Sequence, residues 1–473
     1  MGTTGDHSPP DVLLVYTDQW RWDALGCAGW PVLTPNLDRL AADGVRFSRA
    51  VVQSPVCMPS RVSMLTGRLP SDLRITRMGI PVPPDTRTIA DLLGHRGWHT
   101  ATIGKLHFLP HANRDHAQPH PSYGFDTLVI SDEPGVYEDD YRAWLRRIAP
   151  EALDQLPTEL PPAAAVWQNT LGHVSDDAQA TTGRDDFADA HVFAADESLT
   201  HSAWVATRTI DHLQSLPPGQ RAFTIASFFS PHAPYRVPQR FYDLYDRSTL
   251  PLSVLAPLER SQAAAAGLTE ERLRAIRHGY FAACSEVDFH VGRILRELDR
   301  LGRAENTLVV FLADHGEWLG DHARLAKGFP ADDPVSRVPL IVRWPGHTIG
   351  GHVVEAVVEA LDIVPTLLEA CGVPAPPELQ GDSLVPMLRG ARLDRPEVAI
   401  TEHDDWTSIR SATHHYLVTA GGDEMLWDLS ADPGEYEDVA AEAAQAGELA
   451  RHRGLLLARL LRARRTLPRT WPY

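Results

Sequence analysis

Apolar runs that end abruptly in polar clusters set the pattern of this chain. Val12 to Tyr16 is an uninterrupted, partly β-branched run, the signature of a strand buried on both faces of a parallel sheet, and it stops at Thr17, Asp18 and Gln19. Trp98 to Ile103 runs into Gly104, Lys105, Leu106 and His107. Phe223 to Phe229 feeds Ser230, Pro231 and His232, and Thr307 to Ala313 delivers Asp314, His315 and Gly316. Helical segments alternate with these strands: one after Thr34 with Pro35 at its first position and Gly44 as its stop, one from Thr86 to Leu93, and a long one. In the long one Leu273, Ile276, Tyr280, Ala283, Val287, Val291 and Leu298 recur at helical spacing. The alternation predicts an α/β fold with a mostly parallel sheet flanked by helices. Ligands of such sheets bind beyond the carboxyl ends of the strands, so the four polar clusters should converge on one edge.

At 473 residues the chain exceeds the usual size of one domain. The pattern changes after Pro374 and Pro376, where short strands near Val398 to Thr401 and His415 to Thr419 precede a charged helical tail. We therefore expect a catalytic α/β domain over residues 1–375 and a smaller α+β subdomain, with a small antiparallel sheet and a helix, over 376–473. Residues from about 109 to 200 are irregular and rich in Pro, His and acidic side chains, and read as insertions over the site.

Charge narrows the function. A formal charge of −18 argues against nucleic acid as a partner and requires a local positive site if the substrate is an anion. Cys27, Cys57, Cys284 and Cys371 form no C-x-x-C pair, against a zinc knuckle or a disulfide framework and in keeping with a reducing compartment. The first apolar run is too short for a signal-peptide core or a membrane span, so the expected location is cytoplasmic, without a membrane.

The polar clusters carry the chemistry. Asp18 and Asp314 stand at strand ends, and each is followed by a residue able to coordinate metal, Gln19 and His315. Such an oxygen-rich set suits calcium or magnesium, and one imidazole also admits manganese. The ordinary use of Asp after a strand is a helix cap or turn, and the shared placement of the pair is what favours metal. Cys57 opens the stretch Cys57-Met58-Pro59-Ser60-Arg61, followed by Leu65-Thr66-Gly67-Arg68. Ser60 to Thr66 reads as a short helix whose N-terminal amides favour negative charge near Cys57, with Arg61 one turn in. An isolated cysteine would read as an inert buried thiol. Most of the 22 histidines are expected on the surface or satisfied in the core, and His111, His116, His120, His173 and His191 receive no role. Trp20, Trp22, Trp30 and Trp98 could stack on sugars, although burial is the ordinary use of tryptophan.

The stretch C-x-P-S-R with the downstream L-T-G-R resembles the sulfatase signature. Four more motifs match in order: Asp18 near the start, the G-K-x-H of Lys105 and His107, the S-P-H-x-P of His232, and Asp314-His315 followed by Lys327 ahead of Arg337 to Ile341. A closing segment, Met425 to Leu429 and then Asp432-Pro433-Gly434-Glu435, is similar to the family's C-terminal L-Y-D-L…D-P-x-E. The resemblance implies an alkaline-phosphatase-like α/β fold and sulfuric ester hydrolysis. It further implies oxidation of Cys57 to formylglycine by a formylglycine-generating enzyme, and one divalent metal, calcium first with magnesium or manganese as alternatives, on Asp18, Gln19, Asp314, His315 and the group at position 57. Hydrated to a diol, the aldehyde would attack sulfur with one hydroxyl and expel sulfate through the other, splitting the reaction in two. Arg61 would hold the diol or the metal ligands. Lys105 and Lys327 would offset sulfuryl charge, His107 would orient the diol, and His232 would protonate the leaving oxygen.

The family's metal positions usually read Asp-Asp and Asp-Asn. Here they read Asp-Gln and Asp-His, as in choline sulfatases and phosphonate monoester hydrolases. A phosphonate monoester or phosphodiester hydrolase is therefore the alternative, although those enzymes are expected to lack the Lys and His of G-K-x-H. A phosphotransferase of the same fold would carry Ser or Thr at position 57, a serine hydrolase would need a G-x-S-x-G elbow, which is absent, and a binding protein would need no nucleophile. The acidic chain favours a small sulfated molecule or a short sulfated saccharide over long polyanions.

Overall fold

The computed structural model describes residues 9–109, 119–133, 139–156 and 190–464. The insertions expected between 109 and 200 lie in part outside the described residues, as do His111, His116 and His173. In chain order the first ten strands are β1 (Asp11–Thr17), β2 (Val45–Val51), β3 (His99–Gly104), β4 (Thr127–Ile130), β5 (Ala190–Val192), β6 (Ala222–Phe228), β7 (Tyr235–Val237), β8 (Thr307–Ala313), β9 (Arg337–Arg343) and β10 (His352–Glu359). Eight of them form one sheet in the order β10-β2-β9-β8-β1-β6-β3-β4, while β5 and β7 pair with each other. The sheet is mostly parallel: β9 alone runs antiparallel to its neighbours, β2 and β8.

The uninterrupted apolar runs lie at the centre because they have no polar face to show to water. Leu14, Val15, Ala226, Val310 and Phe311 are fully buried, and each such large aliphatic or aromatic side chain contributes about 1.5–3 kcal/mol over exposure. The Glu270–Arg300 helix, capped by the Thr269 side chain, packs against the His201–Ser215 and Pro35–Ala42 helices. Thr34 does precede a helix that starts at Pro35, but its hydroxyl is turned to Gly26 and Asp38 instead of capping it. Among the described residues no helix is long and apolar enough to cross a membrane.

The parallel register sets up the site. Thr17 lies level with Phe228 on one side and Ala313 on the other, and Gly104 lies level with Ser227. The residues that follow β1, β3, β6 and β8 therefore leave the sheet at the same edge. Into this edge the Cys57–Thr66 helix inserts with all ten residues buried. It begins at Cys57, one turn before the expected Ser60. Val56 is extended, Pro59 falls in the first turn where its missing N–H has no helical partner to lose, and Ser60 N–H donates to Val56 O.

Toward the C-terminus, β11 (Ala399–His403), β12 (Trp406–Arg410), β13 (His414–Thr419) and β14 (Glu424–Asp428) form an antiparallel sheet with a second core, against which the Ala446–Ala463 helix packs through Leu456. Two of these strands, β12 and β14, were not anticipated, because Trp406–Arg410 and Glu424–Asp428 are short and mixed in polarity. A buried ion network ties this sheet to the segment after Lys327: Arg410 reaches Asp333 at 2.8 Å and Glu435 at 2.5 Å, Glu435 also accepts from Asp333 N–H at 2.7 Å, and His415 meets Glu435 at 2.7 Å. Breaking a buried pair from one side strands the partner charge, so Arg410→Met should cost about 3–5 kcal/mol of stability. Urea unfolding should show a lower midpoint at unchanged slope.

Candidate active site

Asp18 leaves β1 with its amide donating to Phe228 O, and Asp314 leaves β8 with its amide donating to Thr17 O, so both carboxylates are fixed by the sheet itself. Gln19 follows with φ of 65°, a left-handed turn that points its amide N–H at Asp314 Oδ1, 3.0 Å away. Asp314 Oδ1 also accepts from His315 N–H, and Asp314 Oδ2 accepts from Arg61 Nε at 2.7 Å. Arg61 donates further to Lys105 O at 2.8 Å and to Ser227 Oγ at 3.0 Å, and its guanidinium lies over the Tyr16 ring. Ser60 Oγ donates to Asp314 O at 2.5 Å. The Cys57 helix is thus anchored to the ends of β3, β6 and β8 by the polar residues of its own first turns.

The centre of the site is the Cys57 sulfur. Lys327 Nζ lies 2.6 Å from it, His315 Nε2 3.2 Å and Asp18 Oδ1 3.7 Å. Lys105 Nζ pairs with Asp18 Oδ2 at 2.5 Å and stands over the Phe229 ring. Lys327 Nζ also approaches His315 Nε2 at 3.1 Å and His232 Nε2 at 3.2 Å. Two carboxylates, Asp18 and Asp314, face three cations, Arg61, Lys105 and Lys327, so this innermost group carries positive charge inside an acidic protein. His107 is buried two residues past Lys105, with its backbone amide and that of Leu106 donating to Asp132.

The protonation states follow from burial and neighbours. Burial works to raise the Asp18 carboxyl, but Lys105, His232 and Lys327 hold it well below the usual carboxylate range. Burial would discharge Lys105 and Lys327, yet Asp18 and the group at position 57 push both ammonium groups upward. Burial and then Lys327 lower His315 to about 4 and His232 to about 3, so both rings are neutral near pH 7. His315 Nδ1–H donates to Gly316 O at 2.8 Å, which turns the Nε2 lone pair toward Cys57 and Asp18, as a metal-binding imidazole requires. Burial and then Asp18 push the Cys57 thiol up to about 12, so as a thiol it is a poor nucleophile.

The donor set fits a hard divalent cation. Asp18, Cys57, Asp314 and His315 are all buried and offer ligand atoms within 4.8 Å of one another. Gln19 Oε1 is buried with no hydrogen-bond partner, while the nitrogen of the same amide is engaged by Glu317. Two carboxylates and a neutral imidazole, with an orphaned amide oxygen on the residue after Asp18, are the donor chemistry such an ion takes. Two other groupings differ. The Arg410 guanidinium already sits among Asp332, His415 and Glu435, and His452, near His414 and Glu448, places its ring nitrogens against Glu448 O and Ser411 Oγ.

Sequence reasoning did not single out Glu317, Ser227 or Asp132. A lone Glu, Ser or Asp in a loop or strand end carries no periodic signal, and only proximity to Asp314-His315 could have pointed to Glu317. The four tryptophans fall into two groups. Trp20 and Trp98 are core, and the half-buried Trp22 and Trp30 have Arg337 and Arg21 across their faces.

Comparison with known proteins places these features. The sulfatase family model matches residues 10–373, and a model described as the C-terminal part of N-sulphoglucosamine sulphohydrolase matches residues 320–457. The chain is 27% identical to an arylsulfatase of Clostridium perfringens, over 91% of this chain and 90% of that one. It is 29% identical to a choline-sulfatase of Rhizobium meliloti, over 93% and 83%. A crystal structure of a phosphonate monoester hydrolase of Agrobacterium radiobacter superposes with a TM-score of 0.79 at 28% identity, covering 96% of both chains.

A ligand that binds only the folded state stabilises it, by about 2.7 kcal/mol at a hundredfold excess over Kd. Calcium or manganese added to chelator-treated protein should therefore raise the thermal midpoint, and Asp314→Asn should remove most of that rise. An undiminished rise in this variant would move the cation elsewhere.

Proposed function

The chain belongs to the sulfatase family, and from that premise we propose that it hydrolyses the sulfate monoester of a small molecule or short saccharide, with a nucleophile made from Cys57 by a formylglycine-generating enzyme. The observation that supports this most is the setting of the Cys57 sulfur, where the hydroxyls of the hydrated aldehyde would stand, between Lys327 Nζ and His315 Nε2 and within reach of Asp18. A buried thiol pushed up to about 12 has little use there, whereas an oxygen nucleophile among these cations does.

Asp18, Gln19, Asp314, His315 and the modified residue would hold the metal, calcium first, with magnesium or manganese admitted by the same donors. The ion would supply Lewis acidity and positive charge facing the sulfuryl oxygens. The rest falls to the chain's own groups. Arg61 aims the Asp314 carboxylate through its Nε, and its further bond to Lys105 O holds the β3 end against the Cys57 helix. Lys105 and Lys327 are preorganised donors whose ammonium groups need not move to meet an anion, and such groups contribute most where water is excluded. His107 would orient the diol and assist its collapse. His232 Nδ1–H donates to Ala233 O at 2.5 Å, leaving Nε2 beside Lys327 to face the leaving oxygen. Lys327 is, after burial, what depresses this ring. An anionic ester shared with Lys327 would raise the affinity of His232 for a proton, so that it can act as the acid.

A second reading has its own support: a phosphonate monoester or phosphodiester hydrolase, given the similarity to the phosphonate monoester hydrolase structure at a TM-score of 0.79. The discriminating experiment compares matched aryl sulfate, aryl phosphonate and aryl phosphodiester substrates with protein coexpressed with the formylglycine-generating enzyme. We expect the highest kcat/KM on the sulfate, and Cys57→Ala to abolish turnover of all three. A higher value on a phosphorus ester would replace the first reading with the second. General acid catalysis is worth roughly 10²–10⁴ in rate, so His232→Ala should lose that much on alkyl sulfates and far less on nitrophenyl sulfate, whose leaving group needs no proton.

A further inference from the structure

Glu317 is not a ligand in the reading above, yet it is buried directly behind one. Its Oε2 accepts from Gln19 Nε2, and its Oε1 accepts from the backbone amides of Leu319 at 3.1 Å and Ala326 at 2.5 Å. Ala326 in turn accepts from Trp318 N–H at 3.0 Å and takes a left-handed φ of 65° immediately before Lys327, whose ammonium reaches the Cys57 sulfur. One carboxylate thus touches both a candidate metal ligand and the turn that aims a substrate-facing cation.

We propose that Glu317 is a positioning residue that fixes which end of the Gln19 amide faces the metal and keeps Lys327 in register with it. An amide side chain offers an oxygen at one end and two N–H donors at the other, and rotation by half a turn exchanges them. In its ionised form a carboxyl group with two backbone amides on one oxygen can only accept at the other, so it selects the NH2 end of Gln19. The backbone of Gln19 cannot choose, since its N–H is committed to Asp314 and its carbonyl to the Tyr280 hydroxyl, leaving only the side chain to be set. With the NH2 end held, Oε1 is left buried without a partner, the condition in which it is available to a hard cation. A reversed amide would present N–H groups to the ion. The inference rests on reading Gln19 as a metal ligand.

The test is a cycle of variants read by calorimetric titration of chelator-treated protein with calcium and with manganese, so that metal affinity and not turnover is the readout. Glu317→Gln keeps an oxygen for the Leu319 and Ala326 amides but turns an NH2 toward Gln19, which must then reverse. Affinity should fall about 10–100-fold, the usual effect of losing a group that orients a ligand. Gln19→Glu in the parent sets two carboxylates against each other and should also weaken binding. Combining the two lets the new carboxylate at position 19 accept from the new amide at position 317 while still offering an oxygen to the metal, so the double variant should recover most of the lost affinity. A purely structural role for Glu317 predicts no such recovery. Parent-like affinity in Glu317→Gln, or a double variant as weak as the weaker single one, overturns the proposal. If Glu317→Gln alone does not fold, a folded double variant with restored binding still supports it and one without binding overturns it. Absence of binding to the parent protein would instead overturn the metal reading itself, and this proposal with it.

Discussion

Two carboxylates on adjacent parallel strand ends form the constraint from which the rest of the site follows. Asp18 and Asp314 emerge from strands in register, about 4.8 Å apart in the backbone. At an effective dielectric of about 20, unit charges at that separation repel by about 3–4 kcal/mol, and burial adds to the cost. Cations placed against each carboxylate offset this repulsion. Arg61 meets Asp314 through its Nε and Lys105 meets Asp18 at 2.5 Å, each anchored to a different element. Removing water strengthens these pairs, and the same burial explains why the histidines and the Cys57 thiol are held in their neutral forms.

The charge that faces outward from this arrangement comes from farther along the chain. Lys327 sits on an irregular segment after β8, and three anchors hold that segment. Glu317 ties it to Gln19. Asp321 ties it to Arg21 and Arg277, and the network of Asp333, Arg410 and Glu435 ties its far end to the C-terminal sheet. The closing Asp432-Pro433-Gly434-Glu435 stretch thereby acquires a physical reason: it brings Glu435 to the base of the Lys327 loop. Contacts made by the last strands are in this way part of how the first strand's site is held.

An acidic chain that processes an anion must concentrate its positive charge where it counts. With Arg61 and Lys105 buried and Lys327 half-buried beside them, their fields act on the site interior and are weakly screened there. Sulfate monoesters, phosphonate monoesters and phosphodiesters each present a single negative charge at neutral pH, so the same three cations can balance any of them.

Much of this was legible in the sequence, for a definite reason. β1, β6 and β8 are buried on both faces and read as mainly apolar runs, β3 reads as a short β-branched run, and the polar terminators Asp18, Lys105, His232 and Asp314 mark the carboxyl edge without any knowledge of tertiary structure. The motif around Cys57 is local, and local patterns survive in one dimension. What the chain alone did not disclose depends on contacts between distant residues. Antiparallel β9 inside a parallel sheet, the short strands β12 and β14, and the start of the helix at Cys57 are decided by the neighbours that supply their hydrogen bonds. Glu317 acquires its meaning only when a turn brings it beneath Gln19, 298 positions earlier in the chain. Strand ends and the Cys57 motif were written in residue type and spacing; the pairing of buried charges and the aim of each amide and imidazole were settled by packing, because a hydrogen bond between remote residues leaves no periodic trace.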